Sequence, residues 1–217
     1  MRYKLLIFDL DGTILDTIED LAVAMNHART ALGLEPQPLE KVKAMVGNGI
    51  RKLIDRSTAE DGEVDKEELY REFMKYYNEH CTDNTEPYDG VTDLLKELKA
   101  EGAVIYVLTN KPDVPSRKLI ACRFPGLIDE VRGNIEGIPL KPDPSAVNDM
   151  IERSGIEKNK CALIGDSEVD ILTARNADID IISVSWGFKT RDFLVEHGAD
   201  IIFDSAEKLK IYLKNEK

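Results

Sequence analysis

Two acids stand two residues apart at the end of the first apolar run, in Asp9-Leu10-Asp11-Gly12-Thr13. Residues i and i+2 of an extended segment face the same way, so Asp9 and Asp11 project into one site. Carboxylates that close repel each other, and a divalent cation offsets the repulsion. The pair can also divide labour, one acid as nucleophile and the other as acid/base. Gly12 removes a side chain where backbone must approach a ligand, and Thr13 offers a hydroxyl and an N–H. A turn with helix-capping acids uses the same residue types. The apolar strand before the acids and the Gly-Thr after them favour a site.

Three further clusters each follow an apolar run. In Thr109-Asn110-Lys111 a hydroxyl and the N–H groups behind it suit a phosphoryl oxygen. Thr-Asn could equally cap the next helix, and Lys111 could be a second cation of the site or a surface residue. In Lys141-Pro142-Asp143-Pro144 a lysine on a proline turn could neutralise an anion or an acid pair, or simply be solvated. In Gly165-Asp166-Ser167-Glu168-Val169-Asp170, Asp166 would face the crevice of Asp9, with Asp170 one helical turn further on. Acids before a helix are also its commonest caps.

The elements that must position these residues follow from hydrophobic period. Residues 3–9 read as a buried strand. Helical spacing then takes over at Ile18, Leu21, Ala22, Met25, Ala28 and Leu32, with Thr17 and Asp20 as a capping box and Gly33 as the stop. Leu39, Val42 and Met45 continue it after Pro38. Ile50, Leu53 and Ile54 follow the break Gly47-Asn48-Gly49, and Leu69, Phe73, Tyr76 and Tyr77 form a last stripe. Nothing from about 17 to 80 reads as a strand, so this block is expected to be a small helical bundle. Beyond the loop 82–90, helices near 90–101, 113–122, 143–154 and 168–176 alternate with strands. The strands are Ala103–Thr109, a short one near 128–131, Cys161–Gly165, Ile179–Val184 and Asp200–Phe203, and a C-terminal helix follows. Alternation of this kind predicts an α/β fold, a doubly wound, Rossmann-like parallel sheet with helices on both faces. Such sheets bind ligands beyond the carboxyl ends of their strands, which is where all four clusters fall.

The 217 residues are 42% apolar and 32% charged, an ordinary globular balance. Lys and Arg number 29 against 41 Asp and Glu, a formal charge of −12. A surface so acidic repels polyanions and argues against nucleic acid as the main partner. An anionic substrate must then be held by a local cation, a metal or backbone N–H groups. No apolar run is long enough for a bilayer, and the first residues meet acid before a signal-peptide core could form. The cysteines Cys81, Cys122 and Cys161 are far apart and form no CxxC, as expected of reduced thiols in a cytoplasmic protein.

In chain order the clusters read DxDGT, Thr-Asn, Lys-Pro and GDxxxD. In this the chain resembles the haloacid-dehalogenase-like phosphohydrolase superfamily, along nearly its whole length. The resemblance implies a catalytic core of residues 1–15 and 84–217 with a helical cap, 16–83, inserted after the first motif. It implies Asp9 as the nucleophile that becomes an aspartyl phosphate, and Asp11 as the acid/base. Mg²⁺ would be held by Asp9, the backbone carbonyl of Asp11 and Asp166, with Ser167 and Asp170 behind them. Thr109 and Asn110 would hold the phosphoryl group, assisted by Gly12 and Thr13, with Lys141 balancing charge.

Finer features resemble phosphoglycolate phosphatases and near relatives: Gly12-Thr13-Ile14-Leu15-Asp16, Val46-Gly47-Asn48-Gly49, Tyr88-Asp89-Gly90-Val91, Thr109-Asn110-Lys111-Pro112 and Ser185-Trp186-Gly187-Phe188. The loop Gly47-Asn48-Gly49-Ile50-Arg51 matches that family's substrate-reading position. Arg51 or Lys52 could meet a small carboxylate there, or the loop could be a helix–helix turn with a solvated Arg. Asp11 sets the chain apart from relatives that cleave carbon–phosphorus bonds and from true dehalogenases. Ile128-Asp129 and Gly137-Ile138-Pro139-Leu140 depart from the usual pattern without touching the motifs.

The expectation is therefore a Mg²⁺-dependent phosphatase of a small phosphorylated metabolite, 2-phosphoglycolate first, acting as monomer or homodimer. Pyrophosphatase, sugar-phosphate phosphatase and phosphoglucomutase activities share the core motifs. A phospho-accepting signalling receiver combines similar groups but needs neither Asp11 nor a cap. The cap is expected to hinge near Asp16 and residues 82–88.

Overall fold

The computed structural model describes residues 1–215; the last two residues of the expected second core segment lie outside them. The chain opens with β1 (Leu5–Phe8) and a two-residue strand, β2 (Leu15–Asp16). Four helices follow, α1 (Ile18–Ala31), α2 (Leu39–Met45), α3 (Ile50–Ser57) and α4 (Lys66–His80). A second short strand, β3 (Glu86–Pro87), brings the chain back. Alternation then runs α5 (Val91–Ala100), β4 (Val104–Pro112), α6 (Asp113–Arg123), β5 (Glu130–Asn134), α7 (Ser145–Ser154) and β6 (Cys161–Gly165). It ends with α8 (Glu168–Ala177), β7 (Asp180–Val184), α9 (Arg191–Glu196), β8 (Ile202–Phe203) and α10 (Ala206–Lys214).

Six strands form one sheet in the order β5-β4-β1-β6-β7-β8, every pair parallel. Period 2 in β1 explains why both faces are covered. Leu6 and Phe8 enter one apolar cluster with Ile105, Val107 and Ile164, under α5, α6 and α10. Leu5 and Ile7 enter a second with Tyr106, Leu108 and Leu163, under α7 and α8. The chain runs from β1 to β4 and β5 on one side, then crosses to β6, β7 and β8 on the other. The topological switch point thus lies around β1, whose end carries Asp9.

The helical block packs α1 against α4, with Leu21, Met25 and Ala28 meeting Leu69, Phe73 and Tyr77 in the first apolar cluster. Buried Arg29 closes it, donating to the carbonyls of Glu35 and Ser57 and pairing with Asp61 at 2.7 Å. A buried guanidinium is tolerated because its donors are matched in this way.

Three local readings of the sequence are corrected. Thr17 and Asp20 form no capping box: the Thr17 hydroxyl donates to Asp11 Oδ1 at 2.6 Å instead. Asp20 accepts the N–H groups of Asn84 and Thr85, at 3.0 and 2.9 Å, and the Thr85 hydroxyl at 2.7 Å. The strand expected near 128–131 begins at Glu130, because the Asp129 carboxylate takes the Ile105 N–H that would open the ladder. The last strand is shortened to Ile202–Phe203. One element has no counterpart in the sequence pattern: β2 and β3 pair antiparallel, Leu15 with Pro87 and Asp16 with Glu86, where the chain enters and leaves the helical block. Two residues per strand are too few to show a hydrophobic period.

Candidate active site

Asp9 stands one residue beyond β1, and its N–H still donates to Ile164 O at 2.8 Å. Thr109, Asn110 and Lys111 lie in the last part of the neighbouring β4, and Asp166 follows β6 on the other side. The β5–α7 loop delivers Lys141. Three strand ends and one loop thus converge. They line a cleft with Asp9, Asp11, Thr109, Asn110, Lys111, Lys141, Asp166 and Ser167 on one side.

The charges are interlocked. Lys141 Nζ donates to Asp170 Oδ1 at 2.6 Å and lies 2.9 Å from Asp9 Oδ1. The latter contact is an ion pair without hydrogen-bond geometry, so buried Asp9 Oδ1 accepts no hydrogen bond among the described residues. Asp170 Oδ2 takes the N–H and hydroxyl of Ser167, at 3.2 and 2.6 Å, as a capping box at the start of α8. Ser167 and Asp170 therefore serve helix and site together. The side chain of Asn110 grips the Lys141 backbone, donating to its carbonyl at 3.0 Å and accepting its N–H at 2.9 Å. Lys111 Nζ donates to Asp11 Oδ1 at 2.9 Å, its ammonium 4.6 Å from the Tyr77 ring centroid.

Burial sets the electrostatics. Desolvation first, and the Asp170 charge after it, push the Asp9 carboxyl up to about 7 against the opposing pull of Lys141. Asp166 is also driven well above the carboxylate range by burial, with Asp170 and Asp9 adding to the rise. Lys141 is held above its ordinary value: burial opposes its charge, but Asp170 and Asp9 outweigh it.

The residues fit a divalent cation. Carboxylate oxygens of Asp9, Asp166 and Asp170 lie within 4.8 Å of one another, and Asp9 Oδ1 is the orphan among them. Four acids, Asp9, Asp11, Asp166 and Asp170, face two ammonium groups, Lys111 and Lys141. With Lys189 also lining the cleft, negative charge is left for a cation to offset once all four acids are ionised. Asp170 is already engaged on both oxygens, which leaves Asp9 and Asp166 as the side chains available to a metal.

The glycines are steric necessities. Gly12 has φ +80°, and a Cβ there would overlap the Asp166 carboxylate. A Cβ on Gly187 would overlap the Gly12 carbonyl, and Phe188 N–H donates to Asp166 Oδ2 at 2.7 Å. Thr13 holds Asp166 only loosely, its hydroxyl 3.5 Å from Oδ1, while its carbonyl accepts the Trp186 indole N–H at 3.0 Å.

The helical block supplies the other wall: Leu21, Val46, Gly47, Gly49, Ile50 and Leu53. The remaining loop residues turn elsewhere. Asn48 accepts from Arg56, and Arg51, 60% exposed, pairs with Glu67 at 2.6 Å and stacks on Tyr70. Arg51 and Lys52 line a neighbouring surface groove rather than the cleft. Sequence reading misses Phe188, Lys189 and the apolar lining from the helical block. The Ser185–Phe188 stretch is a visible signal, but which of its atoms point inward is not. The link of Lys111 to Asp11 has no signal in the sequence.

The family model for haloacid dehalogenase-like hydrolases matches residues 6–184. The chain belongs to that family. It is a haloacid-dehalogenase-like hydrolase of the phosphatase type and resembles phosphoglycolate phosphatases. It is 34% identical to the phosphoglycolate phosphatase of Psychrobacter arcticus, over 98% of this chain and 96% of that one. It is 34% identical to that of Chromobacterium violaceum, over 98% and 97%. A solved structure of a candidate phosphoglycolate phosphatase from Lactobacillus delbrueckii superposes with a TM-score of 0.93 at 36% identity, covering all of both chains. Among the described residues no helix is long and apolar enough to cross a membrane.

Proposed function

We propose that this hydrolase is a Mg²⁺-dependent phosphatase that removes phosphate from 2-phosphoglycolate through an aspartyl phosphate on Asp9. The observation that carries the reading is Asp9 Oδ1, buried against the Lys141 ammonium at 2.9 Å, without a hydrogen bond among the described residues and two residues from an anchored second acid. The names of the relatives favour phosphoglycolate over the sugar phosphates and pyrophosphate that share the core motifs.

Asp9 and Asp166, with the Asp11 carbonyl, would hold Mg²⁺, which supplies positive charge against the phosphoryl oxygens. Thr109 and the N–H groups near Asn110 orient the phosphoryl group, and Lys141 balances its charge. An Asp9 oxygen bonds to phosphorus as the ester P–O bond breaks. The leaving oxygen keeps that electron pair and takes the proton of Asp11. A water then attacks phosphorus, gives its proton to Asp11, and the P–O bond to Asp9 breaks, releasing inorganic phosphate. Asp11 is the group that separates this cycle from a receiver, which keeps its phosphoryl group.

Residues 16–83 act as the cap. The short β2–β3 ladder, with Asp20 tied to Asn84 and Thr85, is the joint about which they move to admit substrate and exclude water. The three unpaired cysteines suit a reducing cytoplasm. The test is phosphate release with Mg²⁺ from a panel of 2-phosphoglycolate, pyrophosphate, sugar phosphates and nucleotides. The highest kcat/KM is expected for 2-phosphoglycolate; a sugar phosphate in first place would overturn the substrate assignment.

A further inference from the structure

Lys111 sits in the cleft lining yet is not presented to it as a free cation. Its side chain is fully buried. Its ammonium is committed to Asp11 Oδ1 at 2.9 Å and lies over the ring of Tyr77, a residue of α4 in the cap. Thr17, at the start of α1, donates to the same oxygen at 2.6 Å. Asp11 Oδ1 is thus held from two sides, while Oδ2 accepts no hydrogen bond among the described residues. A carboxylate pinned by one oxygen presents the other in a fixed direction, and proton transfer depends on that direction.

We infer that Lys111 is a positioning residue for Asp11: clamped on the Tyr77 ring, it anchors Oδ1 so that Oδ2 meets the leaving oxygen. This rests on Asp11 being the acid/base of the proposed cycle. It departs from the reading of Lys111 as a substrate-binding cation. It also makes the clamp a joint property of core and cap, because Lys111 comes from β4 and Tyr77 from α4. The Tyr77 hydroxyl is buried with no hydrogen-bond partner among the described residues, so the ring rather than the oxygen does the clamping.

The experiment compares kcat/KM for two phosphate esters without a carboxylate, p-nitrophenyl phosphate and ethyl phosphate, together with 2-phosphoglycolate. An aryl leaving group departs with little protonation, whereas an alkoxide needs the acid. The ratio between substrates is independent of how much of a variant is folded. Asp11→Asn should lose about 10²-fold or more on ethyl phosphate relative to the aryl ester, the usual worth of a general acid. Lys111→Met should shift the ratio the same way, by up to about 10²-fold, the scale of a ~1 Å misplacement. In the Asp11→Asn background Lys111→Met should have no further effect on it. Tyr77→Leu should follow Lys111→Met, and Tyr77→Phe should restore the wild-type ratio.

If Asp11→Asn leaves the ratio unchanged, the acid/base assignment itself falls. If Asp11→Asn shifts it and Lys111→Met does not, only the positioning role is overturned. If Lys111→Met only weakens saturation by 2-phosphoglycolate and spares both simple esters, Lys111 is the carboxylate-binding cation and the inference is refuted.

Discussion

The two walls of the cleft are built differently. On the sheet side the acids are interlocked with two buried lysines: Lys141 with Asp9 and Asp170, Lys111 with Asp11, Asp170 with Ser167, and Asn110 with the Lys141 backbone. On the cap side the lining is apolar side chains and glycine backbone, and the charges face out: Arg51 to Glu67, Arg56 to the Met45 carbonyl. The sheet side concentrates negative charge that a proton or a bound cation can relieve. The cap side offers shape and little fixed charge. On the proposed function, chemistry would belong to the sheet wall, and the wall from the helical block would act through fit and exclusion of water.

The sharpest way to break this contrast is Asp9→Asn, which should reduce kcat by at least about 10⁴-fold, as for other deleted nucleophiles, with the fold retained. Steady-state kinetics and circular dichroism check both halves. Lys141→Met comes next. Activity should fall about 10²- to 10³-fold. Unfolding in urea should show a loss of about 3–5 kcal/mol, because Asp9 and Asp170 lose their shared buried partner. A neutral Lys141→Met would place the chemistry elsewhere.

A smaller effect comes from pH. In the metal-free protein burial raises Asp9 from 3.8 to about 7. The folded state then holds a proton that the unfolded chain has released. The stability this gives is fully present below about pH 4 and is lost as pH rises through 7. A cation that binds the ionised acids reverses the loss, so Mg²⁺ should raise Tm more at pH 8 than at pH 5. Scanning calorimetry with and without Mg²⁺ measures the difference; an equal rise at both pH values would contradict the charge argument.

The smallest effect is expected on the cap. Arg51→Ala removes an exposed ion pair with Glu67, so stability should change by less than about 1 kcal/mol, with KM for 2-phosphoglycolate unchanged. A rise in KM would show that the loop turns Arg51 inward when substrate binds, and would soften the contrast between the walls.

The same contrast explains what is legible in the sequence. Asp9, Thr109 and Asp166 can be read because each closes an apolar run, and a parallel sheet brings its strand ends together whatever the loops do. The helices of the cap are readable from their periods. The facing of its loop is not: burial of Ile50, Leu53 and Ile54 fixes the rotation of α3 and leaves Arg51 and Lys52 on the outer side. Thr17 illustrates the limit in another way. Its position before a helix suggests a cap, but an acid six residues earlier in chain and adjacent in space takes its hydroxyl. Partners set by tertiary contact, such as Lys111 with Asp11 across 100 residues, leave no local trace.

The most direct test of the account is a single turnover with ³²P-labelled substrate and Mg²⁺, quenched in acid and mapped by peptide. The label should appear on the peptide bearing Asp9 and be absent from Asp9→Asn. Phosphate released with no labelled enzyme at any time, or label on another residue, would contradict covalent transfer to Asp9.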